Sequence, residues 1–587
     1  MTDRKIIPLA AANEVLGRQL GKLVGRKRLD AILSKENAPA LVRTLPAEDL
    51  YFLIKDVGSE DAAPLVAMSS PEQFRGFIDL DCWVNHEGAK ELSPIKALRW
   101  MTLAREDSTL EDLAAKRTGL DLEVVELILR GGLSIVDRKA VEEDGWAAAA
   151  PGEDPQAAWE ETPCGSWFVC FEIPGPEEIE LRRMLHELYA EGPFPASRLL
   201  SAVRYELTSE LNEHALRFRN ARLADMGFPE PEQAKALYAK TNISATPPPQ
   251  PTPPDSIPGF FLSEFVGDSF LDRCSAKVTG VRSRTFLDRS LMYLANCVMV
   301  ADRIEPSDTE AARDAVGAMR AYLNLGLSHL AGNDSDRGST ILCSTALKHV
   351  FQVGFTLTLQ RKWRAERLVA ALVPGSSSDE RSLPLDAPEG SVVDALLKPK
   401  PMYAVCLDAA LAAGWPASPA LDAAERAPEA TLPSGLRPFA VPEDLEAADT
   451  ALGRAEATID LAMASGILQI DDTELGENDE SHPLSVLLLT ATLNMALGKA
   501  FTPSALSEGE LQEAWRKARD ETGALSANVT SKLVSLLAKA ADGPTETAET
   551  LASMTAARFE LAFPEANGPI DARYTTGVIM RGNSDQG

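Results

Sequence analysis

Residues 246–259, TPPPQPTPPDSIPG, shut regular structure out of the middle of the chain. Seven of them are proline. Each proline fixes φ, lacks a backbone donor and biases the residue before it toward extended backbone. The run reads as a semi-rigid linker between packed bodies, and its PxxP-like spacing also suits an aromatic-grooved partner domain. A chain of 587 residues is long for one hydrophobic core, so several folded segments are expected. With 45% hydrophobic and 25% charged residues, it has the material to bury them.

The strongest pattern before the linker is PASRLLSAVRYELTSELNEHALRFRNARLADMGF, residues 195–228. Leu200, Val203, Leu207, Leu211, Phe218 and Ala221 recur at three- and four-residue steps, which predicts one long helix with these side chains on one face. His214 falls on that apolar stripe, and Glu206, Glu210, Glu213 and Arg217 form a charged stripe beside it. Gly227 is placed as a left-handed helix cap, with Pro229 just beyond.

The rest of the chain divides by local signals. Residues 1–28 are a basic arm, either solvated or facing an anionic partner. Residues 29–132 read as short helices opened by capping boxes at 70–73 and 108–111. Within them LPAEDLYFLIKDVG and SPEQFRGFIDLDCWV share a plan of proline, acidic first turn and apolar face, and such units stack on neighbours; Trp83 is the expected anchor. Residues 133–175 form a small β-containing insertion, with LSIVDRKAVEE and SWFVCFEI as strand candidates. Residues 176–245 are the long-helix region. Beyond the linker come a helical domain over 260–373, a flexible loop over 374–391, an Ala-rich helical domain over 392–564 that includes the acidic loop DDTELGENDE, and an irregular tail over 565–587. The expected class is mainly α: a helical-repeat or superhelical N-terminal part with a small β insertion, followed by α-helical domains.

Three groups of segments carry a family resemblance: LPAEDLYFLIKDVGSEDAAPLVAMSSPEQFRGFIDLDCW, then RFRNARLADMGFPEPEQA, then LMYLANCVMVADR with AYLNLGLSHL and VFQVGF. Together they resemble a family of uncharacterised bacterial proteins, domain of unknown function 6178, over residues 30–370. The resemblance implies no catalytic residue. The first segment is also similar in style to the superhelical N-terminal domain of magnesium transporters and to flagellar switch-protein repeats, which implies a protein-docking superhelix and no magnesium chemistry.

A net charge of -29 disfavours nucleic acid and anionic membranes and favours basic partners. Seven scattered cysteines form no CxxC pair, which argues against a disulfide framework and a structural zinc site. The N-terminus lacks a signal peptide's apolar core, and the most apolar helix, 484–498, is too short to span a bilayer. A cytoplasmic protein without membrane insertion is expected, and no motif calls for a cofactor.

Two candidate sites lie on the 195–228 helix. Glu210 and His214, four residues apart, can share a metal, with Glu206 and Glu213 as further oxygen donors. Against this, His214 suits a packed core position, Glu213 can pair with Arg217, and no HExxH is present. Arg217, Arg219 and Arg222, near Asp225, suit phosphate or carboxylate recognition, or a salt-bridge network holding the following turn. GRQLGKLVGRK lacks the spacing of a phosphate loop, and DDTELGENDESH puts Leu475 and His482 where a calcium loop needs oxygen ligands. The expected function is a scaffold or adaptor binding other proteins or a second copy of itself. The rival is a ligand- or metal-binding regulator or enzyme with its site around Glu210, His214 and the Arg217–Arg222 cluster.

Overall fold

The computed structural model describes residues 25–581 except 87–88, 155–156, 245–246, 253–267, 307, 373–383, 387–388, 398–404, 408–435, 469–481, 542–544, 565–569 and 571–574. Most of the basic arm, the acidic loop and much of the 374–391 loop lie outside the described residues. The chain is mainly α, as expected, and divides into two compact units: residues up to 239, 244–323 and 330–352 form one, and 240–243, 324–329 and 353 onward the other.

The first unit opens with five short helices, α1 (Arg26–Leu33), α2 (Ala38–Thr44), α3 (Ala47–Val57), α4 (Ala63–Met68) and α5 (Pro71–Asp81). A hairpin, β1 (Trp83–His86) and β2 (Ala89–Leu92), follows, then α6 (Pro94–Arg105), α7 (Leu110–Thr118) and α8 (Leu122–Arg130). Next come β3 (Leu133–Asp137), α9 (Arg138–Asp144), α10 (Trp146–Ala149), β4 (Glu160–Glu161) and β5 (Trp167–Phe171). Helices α11 (Pro176–Glu191), α12 (Pro193–Tyr205), α13 (Thr208–Asp225), α14 (Pro231–Lys235), α15 (Phe270–Ala276), α16 (Val281–Ala301), α17 (Thr309–Ala331) apart from residues 324–329, α18 (Ser335–Ser344) and the start of α19 (Leu347–Leu372) complete it; α19 from residue 353 on belongs to the second unit.

Helix α5 starts as its capping box dictates. Ser70 Oγ accepts from Gln73 N, and Gln73 Oε1 accepts from Ser70 N at 2.8 Å. Gln73 Nε2 also donates to Val42 O and Leu45 O, closing the end of α2. Around α5 the core gathers Tyr51, Phe52, Phe74, Phe77 and Trp100, with Trp83 1% exposed as the expected anchor. The box expected at 108–111 is shifted by one residue: Thr109 Oγ1 caps α7 by accepting from Asp112 N. The strand candidates pair antiparallel, Leu133 opposite Phe171 through Asp137 opposite Trp167, with β4 on the far side of β5.

The single helix expected over 195–228 is two. Glu206 and Leu207 are extended, because the Arg130 guanidinium donates to Val203 O (2.9 Å) and to Glu206 O and so takes up the carbonyls a continuous helix would use. Leu207 and Phe218 are 60% and 48% exposed; the buried positions of α13 are Leu211, Ala215 and Arg219, and His214 is exposed rather than packed in the core. The C-terminal end matches its signal. Gly227 has φ 84°, Gly227 N donates to Ala224 O, and Phe228 N donates to Leu223 O. Between α18 and α19, at Thr345, the described part of the proline-rich run lies alongside: Pro249 bridges Thr345, and Ala346 N donates to Pro248 O.

In the second unit, α20 (Glu389–Leu397) is followed by a short antiparallel pair, β6 (Val405–Leu407) and β7 (Leu436–Pro438), and by α21 (Pro442–Ala464), α22 (Leu484–Ala496), α23 (Glu508–Ala518), α24 (Ala527–Ala541) and α25 (Thr545–Ala562). Helix α22 is buried from Leu484 to Asn494 and forms the axis of the core. The end of the tail is tied to it, with Ile579 N donating to Thr490 Oγ1 and Leu506 N to Ile579 O. Among the described residues no helix is long and apolar enough to cross a membrane.

Candidate functional site

Successive residues of a helix turn by about 100°, so the arginines at 217, 219 and 222 do not share a direction. Arg219 and Arg222 face inward. Arg219, 7% exposed, donates Nε to Asp79 O at 2.7 Å and sets its guanidinium 5.6 Å from the Trp83 ring. Arg222 grips the Asp79 carboxylate with two hydrogen bonds, 2.6 and 3.0 Å, and reaches Asp121 Oδ2 at 2.7 Å. Burial pushes the Asp79 carboxyl up, and the two guanidiniums oppose that shift. These two arginines bind α13 to α5 and to the start of α8.

A second buried carboxylate adjoins the first. Asp81 Oδ1 accepts from Tyr51 Oη (3.2 Å) and pairs with Lys55 Nζ (3.1 Å), and Oδ2 accepts from Trp100 Nε1 (2.8 Å). Burial and the neighbouring carboxylate drive the Tyr51 phenol upward, and burial does the same to the Cys82 thiol. With its acceptors taken up internally, this centre holds the fold together rather than facing a ligand.

The outward side of α13 is different. Glu213, His214 and Arg217 are exposed and have no ion-pair or hydrogen-bond partner among the described residues, so the Glu213–Arg217 pair that the spacing allows is not formed. His214 and Arg217 line an open groove of about 920 Å³, with Asn212 and Asn220 from the same helix and Lys90 and Glu91 from β2. Lys90 Nζ is held by Glu305 at 2.9 Å. Glu210 is exposed and does not line the groove. Among the described residues no group of three His, Cys, Asp or Glu side chains is placed to hold a metal.

The groove residues Lys90, Glu91, Asn212 and Asn220 were not legible as a site. The one signal, and for Lys90 and Glu91 alone, is the strand-like WVNH and AKEL on either side of Glu87-Gly88. Cys164 is another position that counting cysteines did not single out. It is exposed, its Sγ 3.3 Å from Ser166 Oγ and 3.6 Å from Tyr189 Oη. Burial pushes its thiol up, but hydrogen bonds with Ser166, Tyr189 and Thr162 prevail and bring it down to about 7.

No curated protein and no solved structure matches the chain. The sequence model of a family of unknown function, DUF6178, matches residues 8–416 and 422–581, taking in the Ala-rich C-terminal part that the resemblance over 30–370 left out. The chain belongs to the DUF6178 family.

Proposed function

We propose that this chain is a cytoplasmic scaffold that binds another protein, and that the groove along α13 is a docking surface. The observation that carries the reading is the division of labour on α13. Its inward cations, Arg219 and Arg222, are consumed in fixing the helix, whereas its outward Arg217, His214 and Glu213 have no partner among the described residues. Phe218 and Leu207, 48% and 60% exposed at the flank of the same helix, add apolar area that a partner can cover. Buried free thiols at Cys82, Cys274 and Cys297 fit a reducing compartment. The metal reading of Glu210 and His214 lacks a third donor among the described residues and is not carried forward.

The test is a photo-cross-linking amino acid at Ala221, which lines the groove, with the same probe at exposed Glu142 as control. A discrete adduct formed from position 221 in cells, absent from position 142 and lost on Arg217→Glu, is the expected result. An adduct of twice the chain's mass would make the partner a second copy. If both positions give the same faint background, the docking reading is wrong.

A further inference from the structure

We propose that the groove takes an extended segment of the partner protein, added as a third strand to the free edge of β2. This rests on the docking reading above and states how the docking is done.

The hairpin's own hydrogen bonds decide which peptide groups are available. Ser93 N donates to Cys82 O at 2.7 Å, so Cys82 and Ser93 oppose each other as a hydrogen-bonded pair. The register runs Trp83 opposite Leu92, Val84 opposite Glu91, Asn85 opposite Lys90. Hydrogen-bonded and non-hydrogen-bonded pairs alternate in an antiparallel ladder. Val84 and Glu91 are therefore the next bonded pair, and Asn85 and Lys90 an unbonded one. The N–H and C=O of Lys90 point away from β1. The sheet ends there, for β2 pairs with β1 alone among the described residues. Unpaired donors and acceptors along a strand edge are a template for another strand.

The space beside that edge fits the guest. Lys90 and Glu91 line the groove with α13. A strand packed in a protein takes up about 160 Å³ per residue, from about 4.8 Å between strands, 10 Å between layers and 3.3 Å along the chain. The groove of about 920 Å³ therefore holds about six residues, against four in β2. Ser209, Asn212 and Asn220 present hydroxyl and amide groups suited to a peptide backbone, Arg217 receives an acidic side chain of the guest, and Glu91, Glu213 and Glu230, which also line the groove, receive basic ones. A guest without an extended backbone would leave the Lys90 peptide groups unused.

The substitution that isolates the strand edge is Lys90→Pro. It deletes the outward N–H and spares the β1–β2 hydrogen bonds, which Lys90 does not make; proline is tolerated at such edge positions. Lys90→Ala removes the same side chain and its ion pair with Glu305 but keeps the N–H. The full-length protein would be panned against displayed random peptides about ten residues long. The affinities of the selected peptides for the wild type and each variant would then be measured by fluorescence anisotropy. Peptides that combine one Asp or Glu with Lys or Arg are expected, with affinity lost at least about tenfold on Lys90→Pro and on Arg217→Glu, and little changed on Lys90→Ala. The Lys90 amide of the wild-type protein should become protected from hydrogen exchange when the peptide binds, a readout that does not depend on how well Lys90→Pro folds. Peptides that need Arg217 but leave the Lys90 amide unprotected would overturn strand addition and leave the docking reading standing. If no selected peptide responds to Arg217→Glu, both are overturned.

Discussion

Arg217 and Arg222 sit five residues apart on one helix and should respond to substitution in opposite ways. Arg222→Ala leaves Asp79, 1% exposed, without its bidentate partner. Breaking a buried pair from one side strands a charge, which places the cost at about 3 kcal/mol. Asp121 loses a contact as well, so α8 loosens with α13. Arg217→Ala, on the exposed side, should change stability by less than about 0.5 kcal/mol. Urea unfolding of the two variants checks the contrast. Equal losses would mean that the inward and outward arginines play the same structural part. Adding Asp79→Asn to Arg222→Ala should recover part of the loss, since the buried group is then neutral. The three arginines are close in sequence, and spacing alone invited a single cluster. Helix geometry separates them, because residues 217 and 219 lie about 200° apart around the axis.

At the scale of elements, the break between α12 and α13 has a cause that no local pattern contains. Arg130 belongs to α8, and its hydrogen bond to Val203 O spans 73 residues of sequence. Removing it with Arg130→Met should let the last turn of α12 fray. Hydrogen exchange is expected to quicken about tenfold over residues 203–206, matching a loss of about 1–2 kcal/mol, while the centre of α13 keeps its protection. Unchanged exchange there would show that the break is imposed by something else. The same distinction explains what was readable beforehand. Helix α5 begins where Ser70, Pro71 and Gln73 say it should, α11 starts at Pro176, α13 ends at Gly227, and β3 pairs with β5, since each carries its own cap or strand composition. The hairpin β1–β2 is four residues a side, too short to impose a period, and it supplies one wall of the groove. A site assembled from that hairpin and from one side of α13 is visible only once the chain is folded.

Over the whole molecule, the carboxyl groups with shifted pKa among the described residues fall into two populations with opposite effects on stability. Glu48 and Glu389, 1% and 2% exposed, are pushed up to about 7 by burial, and so is Glu126 by burial and the nearby Glu206. Their folded values exceed the ordinary glutamate value of 4.5, so between those limits the folded chain holds more protons than the unfolded one. That stability is complete below 4.5 and is lost as pH rises through about 7. Carboxyls held down by hydrogen bonds, such as Glu510 at about 2, lose their contribution only as pH falls toward that value. His349 is buried with its pKa lowered below 6.5, and it opposes folding once the medium is acid enough to protonate the unfolded chain. The Cys164 thiol, held down to about 7, favours folding at higher pH; below about pH 7.5 the raised glutamates outweigh it, and the melting temperature should climb as pH is lowered toward 6.5. Relief of the repulsion implied by a net charge of -29 acts in the same direction. Added salt screens that repulsion but hardly touches a buried carboxyl, so the slope that survives in high salt belongs to the glutamates. Glu48→Gln and Glu389→Gln should each flatten the surviving slope by up to about 1.4 kcal/mol per pH unit, the linkage of one proton. A slope that vanishes in salt and is the same in both variants would mean that these side chains are already ionised in the folded chain.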